Sequence, residues 1–242
     1  MMQIGCLARY FNPYGEEVEF ARNNNFQFMQ IWYDRNGVSL KKDLNPIKII
    51  KKYNFPTIIH AVLDVNEFEE HVAKLLEILK YLGHNELIIH PICESEKITL
   101  QTIYKLSDKV RFALEELAKE NITLYLENNS RLDPIFNASN EIEIMFKQNP
   151  NLEFLLDIAH IDSYEHLKSM ITIRMPKILH IADRHLEVIH EHLPIGKGNI
   201  DYKYIFTDIL NEFDGKLILE IVQSSSDVIS SKARIEEYCG IK

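Results

Sequence analysis

The chain has 242 residues, enough for one large α/β domain, and 46% of them are hydrophobic against 26% charged. That balance excludes a disordered chain, and no apolar stretch approaches the ~20 residues needed to span a bilayer. A net charge of −9 argues against a protein whose affinity comes mainly from neutralising phosphates. Three scattered cysteines (Cys6, Cys93, Cys239) argue against a disulfide framework, and no CxxC pair suggests a zinc ribbon. The opening MMQIGCLARYF lacks the charged and long apolar regions of a secretory signal, so a cytoplasmic location is expected.

Eight strand candidates follow in chain order. They are QIGCLARY near residue 3, FQFMQIWY near 26, TIIHAVL at 57, ELIIHPI at 86, TLYLEN at 123, EFLLDIAH at 153, ILHIAD at 178 and KLILEIV at 216. Between them, VNEFEEHVAKLLEILKYLG, LQTIYKLSDKVRFALEELAKE and DYKYIFTDILNEF carry apolar residues at helical spacing. Gly83 and Asn121 stand where helices should stop, and Pro56, Pro150 and Pro176 block helix continuation just upstream of strands. No linker or low-complexity tract divides the pattern. Eight uninterrupted βα units predict one (β/α)8 barrel over residues 1–242, with an open doubly wound sheet as the lesser alternative.

Six of the apolar runs end in a residue able to bind a metal: His60, His90, Glu127, Asp157, His180 and Glu220. Runs this apolar read as strands covered on both faces, so these ends are not there to solvate an edge. In a barrel, reactive groups sit at the C-terminal strand ends and in the loops after them. Glu127, Asp157, His180 and Glu220 come from four successive strands, so their side chains can meet without long loops. Any one alone reads equally well as a member of a salt bridge at the barrel mouth; four together point to a divalent ion. The N/O donor set suits Mn, Zn, Co or Mg, with no thiolate to select a soft ion.

Other residues have weaker signals. His160, three after Asp157, is either a substrate contact or a histidine oriented by local backbone. Asn128 and Asn129 follow Glu127 and can orient it or bond a substrate hydroxyl, and Asp183 reads as a loop ion pair or a partner of the ligands. Arg184 and His185 are candidate substrate contacts. In IGKGNIDY, two glycines and Lys197 form a possible phosphate site, with Asp201 capping the helix from Tyr202; a plain turn with a surface lysine is the competing reading. Phe11, Trp32 and Tyr33 read as packing before stacking. His71, His84 and His166 read as solvated, and nothing in the spacing draws Cys93 to a metal.

DIAH (157–160), HIAD (180–183), HLPIGKGNIDY (192–202) and LILEIV around Glu220, following LYLEN at Glu127, resemble the xylose isomerase-like TIM-barrel superfamily. The resemblance covers essentially the whole chain. It implies that Glu127, Asp157, His180 and Glu220 hold the ion. In the isomerase branch, Glu127 and Glu220 also serve as acid/base groups in proton transfer next to a carbonyl, with His160, His192, Lys197 and Asn128 on the substrate side. The expected function is thus a sugar or sugar-phosphate isomerase or epimerase of carbohydrate metabolism.

The same superfamily contains the endonuclease IV nucleases, in which three zinc ions are held by histidines after strands three and four, the strand-five glutamate, the DxxH histidine and a DxH pair. The matching positions here are His60, His90, Glu127, His160, His190 and His192, so up to three Zn and a DNA partner are implied by that alternative. His190 departs from the pattern by standing where the family has Asp, and the chain is short for DNA-recognition loops. A barrel that binds metal and a small polyol without turnover is a third reading. Oligomeric state is not legible.

Overall fold

The structure, a computed structural model, describes residues 2–240. Eight parallel strands make the barrel: β1 (Gln3–Leu7), β2 (Phe28–Asp34), β3 (Thr57–Asp64), β4 (Glu86–Ile92), β5 (Thr123–Glu127), β6 (Glu153–Asp157), β7 (Ile178–Ile181) and β8 (Lys216–Leu219). Each pairs with its neighbour in chain order, and β1 pairs with both β2 and β8, which closes the cylinder. A two-residue strand, Gly37–Val38, folds back antiparallel on the end of β2.

The helices are α1 (Tyr14–Asn23), α2 (Pro46–Tyr53), α3 (Phe68–Leu82), α4 (Leu100–Ala118), α5 (Ser139–Gln148), α6 (Tyr164–Ile173), α7 (Tyr202–Tyr204) and α8 (Ser225–Tyr238). Gly83 ends α3 at φ 74 and Asn121 turns into β5 at φ 56, both left-handed as a helix stop requires. No helix among the described residues is long and apolar enough to cross a membrane.

The interior is layered, and the layering places the site. Phe28, Ile58, Ile88, Tyr125, Leu155, Ile178 and Ile218 form an apolar plug of their own, separate from the core under the helices. β1 contributes Gly5 at that level, in register with Phe28. A Cβ there would lie 2.4 Å from the Phe28 ring, so the missing side chain makes room for the aromatic one. Side chains alternate across a strand with period two. Two residues beyond the plug members stand Gln30, His60, His90, Glu127, Asp157, His180 and Glu220, on the same inward face. The floor of the mouth is thus an apolar lid over the lower barrel. The outward alternates, such as Ile31, Ile59, Ile89, Leu126 and Leu156, pack beneath the helices.

Three expectations need correction. The helix expected over DYKYIFTDILNEF is one turn long and widens into a π-turn at Ile205–Ile209, where β-branched and aromatic residues disfavour a regular helix. His60 and His90 do not end their strands, which run on to Asp64 and Ile92. His71 is not solvated: it is buried on the inner face of α3, with Nδ1 2.8 Å from the Tyr33 hydroxyl. His84 and His166 are half-buried, and both His166 nitrogens are engaged, Nδ1 by the Asp162 N–H and Nε2 by the Asn137 carbonyl.

Candidate metal centre

Glu127, Asp157, His180 and Glu220 come from the tips of β5 to β8 and converge, with one potential ligand atom of each within 4.8 Å of all the others. All four are essentially sealed from solvent. His180 Nδ1 faces Glu127 Oε1 at 3.1 Å, Glu220 Oε1 at 3.4 Å and Asp157 Oδ2 at 3.9 Å. Two flanking groups extend the cluster. His60, His90 and Glu127 form one; His160, His190 and His192 form the other, with His190 exposed and His192 half-buried.

Three buried carboxylates at this spacing repel one another and have lost their water, an arrangement that stands only with compensating positive charge. The electrostatics reflect the crowding. Burial pushes the Asp157 carboxyl up, to about 7, against the pull of His192. Burial acts on Glu127 in the same direction, but His180, His90 and His60 together hold it well below the usual carboxylate range. Glu220 is likewise lowered by His180 and His60 despite its burial. His180 is opposed by burial yet raised to about 9 by Glu220 and Glu127. His160 is the contrary case, lowered to about 4 by burial and therefore neutral.

The donor set fits a divalent cation. Asp157 Oδ2, His160 Nε2 and His192 Nε2 are buried with no hydrogen-bond partner among the described residues, so polar atoms aimed into the mouth are left unpaired. Such orphans are rare in folded proteins unless an ion or ligand belongs there. Their remaining atoms are well supported. Asp157 Oδ1 accepts from the Ala159 N–H at 2.6 Å, which fixes the short turn Ile158–His160. His160 Nδ1 donates to the Asn128 carbonyl at 2.9 Å, leaving Nε2 free as a lone pair, 3.4 Å from Asp157 Oδ2.

Several sequence candidates have other employment. The Asn128 side chain is spent on main chain, accepting from the Asp157 N–H at 2.7 Å. Asn129 donates to the Ile135 carbonyl at 2.8 Å. Asp183 forms no ion pair among the described residues: its carboxylate accepts from the N–H groups of Arg184, Gly196 and Ile200 at 2.9, 2.7 and 3.2 Å. Those contacts consume the amides that a phosphate would need, and a Cβ on Gly198 would lie 2.4 Å from the Arg184 carbonyl. The glycines thus serve the loop's own closure. Lys197 is exposed, and Asp201 Oδ1 caps α7 by accepting from Tyr204 N–H at 2.9 Å.

Arg184 is buried and donates to the Ile189 carbonyl at 2.9 Å and to the Ile161 carbonyl, while half-buried His185 pairs with Glu191 at 2.9 Å. Tyr33 is buried, Trp32 stacks on Tyr10 at 5.8 Å between ring centres, and Phe11 is exposed. Cys93 Sγ contacts the Glu96 carbonyl and reaches none of the three groups.

Gln30 was invisible to a reading that counted metal-binding residue types. It is fully buried at the centre of the mouth, its Oε1 2.7 Å from His180 Nε2 and its Nε2 against Glu220 Oε1. The signal was there: it is the lone polar residue within the apolar run FMQIW, two places after Phe28.

Residues 18–238 match the family model described as xylose isomerase-like TIM barrel. The chain belongs to the xylose isomerase-like TIM-barrel family. No curated protein matches it. Solved structures of similar fold include a D-tagatose 3-epimerase-like protein, 20% identical over 99% of this chain and 98% of that one, with a TM-score of 0.78. Another is the IolI protein with a binding zinc atom, 15% identical over 99% and 98%, TM-score 0.78. A third is the probable 3-DHS dehydratase AsbF from Bacillus anthracis, 16% identical over 97% and 98%, TM-score 0.74. At these identities the likeness to xylose isomerase-like neighbours is one of fold, and chemistry must be argued from the site.

Proposed function

We propose that this xylose isomerase-like barrel is a divalent-metal-dependent isomerase or epimerase acting on a sugar. The observation that carries the reading is the burial of Glu127, Asp157 and Glu220 around His180 Nδ1, all within 4.8 Å at the floor of the mouth. An ion such as Zn, Mn, Co or Mg would be held by those four groups and would polarise the substrate's carbonyl and the hydroxyl next to it. The epimerase and zinc-bearing neighbours support the same assignment by analogy of fold.

The chain's own residues then supply the proton traffic. Glu127 and Glu220 stand at the two ends of the arc of four strands, and both are held ionised by the imidazoles around them. One takes the proton from the carbon beside the carbonyl, leaving the electron pair in an enediolate. That glutamate, now a carboxylic acid, returns the same proton to the neighbouring carbon; return to the opposite face of the same carbon is made by the other glutamate after it has taken a proton from solvent. His160 is neutral, and its free Nε2 can accept a hydrogen bond from a substrate hydroxyl. His192, with Nε2 3.6 Å from Asp157 Oδ2, lines the same wall. The amides after β7 are consumed internally, so a phosphate on the substrate has no cradle there, and an unphosphorylated sugar fits better.

A second reading is favoured by the two flanking groups, His60–His90–Glu127 and His160–His190–His192, which would extend the centre to three ions and allow phosphodiester hydrolysis at abasic DNA. The test is a screen of ketoses in deuterated water with metal-loaded protein. Deuterium entering the carbon next to the carbonyl, lost in Glu127→Gln, supports the isomerase. Nicking of abasic duplex without exchange overturns it.

A further inference from the structure

We propose that Gln30 is a positioning residue that aims His180 Nδ1 at the cation site and occupies the Nδ1 lone pair of His60, closing the His60–His90–Glu127 group to a second ion. The inference rests on the metal-dependent reading above. It starts from an orientation that the neighbours dictate. An ionised carboxylate can only accept, so the Gln30 atom lying against Glu220 Oε1 must be the amide nitrogen. The carbonyl Oε1 then faces His180 Nε2 at 2.7 Å, which places the imidazole proton on Nε2. With a cation in place of the second ring proton, His180 Nδ1 presents a lone pair toward the three carboxylates. An N–H bond behind a metal-binding histidine fixes ring, tautomer and basicity together.

The same amide nitrogen has a second N–H, and it points at His60 Nδ1, 3.2 Å away. A neutral imidazole that accepts at Nδ1 carries its proton on Nε2. That nitrogen lies 2.6 Å from Glu127 Oε2, and His90 Nδ1 lies 3.1 Å from the same oxygen. The glutamate is thereby divided: Oε2 faces the two histidines and Oε1 faces the cation position. The His60–His90–Glu127 group is close enough to bind a second ion, but His60 presents a proton where that ion would need a lone pair. One fully buried amide on β2 thus closes one of the two flanking groups to an ion.

The test uses the full chain loaded with zinc, comparing wild type with Gln30→Met, an apolar change of similar volume. Long-range ¹⁵N–¹H spectra of the wild type should show His60 protonated on Nε2 and His180 bound to zinc through Nδ1. After dialysis, wild type should retain one zinc per chain. Gln30→Met should bind the first zinc about tenfold more weakly and retain more than one zinc when zinc is in excess. A His60 ring that coordinates through Nε2 in wild type, or a variant with unchanged zinc count and affinity, overturns the assignment to Gln30. A wild type that retains no zinc overturns the metal-dependent reading instead, and the His60 tautomer in that metal-free sample still decides on Gln30. If Gln30→Met fails to fold, the wild-type spectrum alone decides.

Discussion

Asn128 Oδ1 accepts the main-chain N–H of Asp157 at 2.7 Å, so the tip of β5 is clamped to the tip of β6 inside the centre. The clamp sets the spacing between Glu127 and Asp157, two of the proposed ligands. Asn128→Ala should cost about 1–3 kcal/mol, because the Asp157 N–H is left buried and unpaired, and should weaken zinc binding about tenfold. Urea unfolding and a competitive chelator titration measure the two effects. Unchanged zinc affinity would show that the clamp does not position the ligand.

Removing the ion should expose the cost of gathering three carboxylates. A ligand present at about a hundred times its Kd contributes about 2.7 kcal/mol, or roughly 5–10 °C in Tm for a chain of this size. Treatment with a chelator should lower the wild-type Tm by that amount and leave Asp157→Asn unaffected. An equal fall in both proteins, read by differential scanning calorimetry, would contradict Asp157 as a ligand.

Much of the barrel is legible in the apolar runs, because strands covered on both faces need them and the chain has eight. The gathering of Glu127, Asp157, His180 and Glu220 was legible too, since a His, Glu or Asp at the end of such a run has no solvent to justify it. Gln30 escaped because it is an amide rather than a metal-binding residue type, and only the barrel's closure brings its side chain against His180 and Glu220. His71 escaped because its partner, Tyr33, lies 38 residues away in sequence. The glycine-rich stretch after β7 misled for a related reason: the amides that make a phosphate site were already taken by Asp183, a contact that spacing alone does not reveal.

Asp64, at the end of β3, anchors the β4–α4 loop from within the barrel rim. Burial alone would raise its carboxyl, but the N–H groups of Asn66 and Glu94 and the Ser95 hydroxyl hold it below its ordinary 3.8. A lowered carboxyl stabilises the fold above its ordinary value, and that stabilisation is lost as pH falls through the folded-state value. Asp64→Asn should therefore melt below wild type at pH 7, and the gap should close as pH drops below about 4. A gap that stays constant from pH 7 to pH 3 would contradict the ionised clamp.

Gly5 makes the opening into which the Phe28 ring fits. Gly5→Ala puts a methyl 2.4 Å from that ring. Overpacking of this kind costs about 1–3 kcal/mol, measurable as a lower urea midpoint. A variant as stable as wild type would show that the plug layer can shift freely.

The central claim is that Glu127, Asp157, His180 and Glu220 share a cation, and anomalous diffraction from a zinc-loaded crystal tests it most directly. A strong peak at the zinc edge, in contact with one atom of each of the four, is the predicted result. An empty mouth at full zinc loading, or the carboxylates of 127, 157 and 220 turned away from a common point, would contradict it.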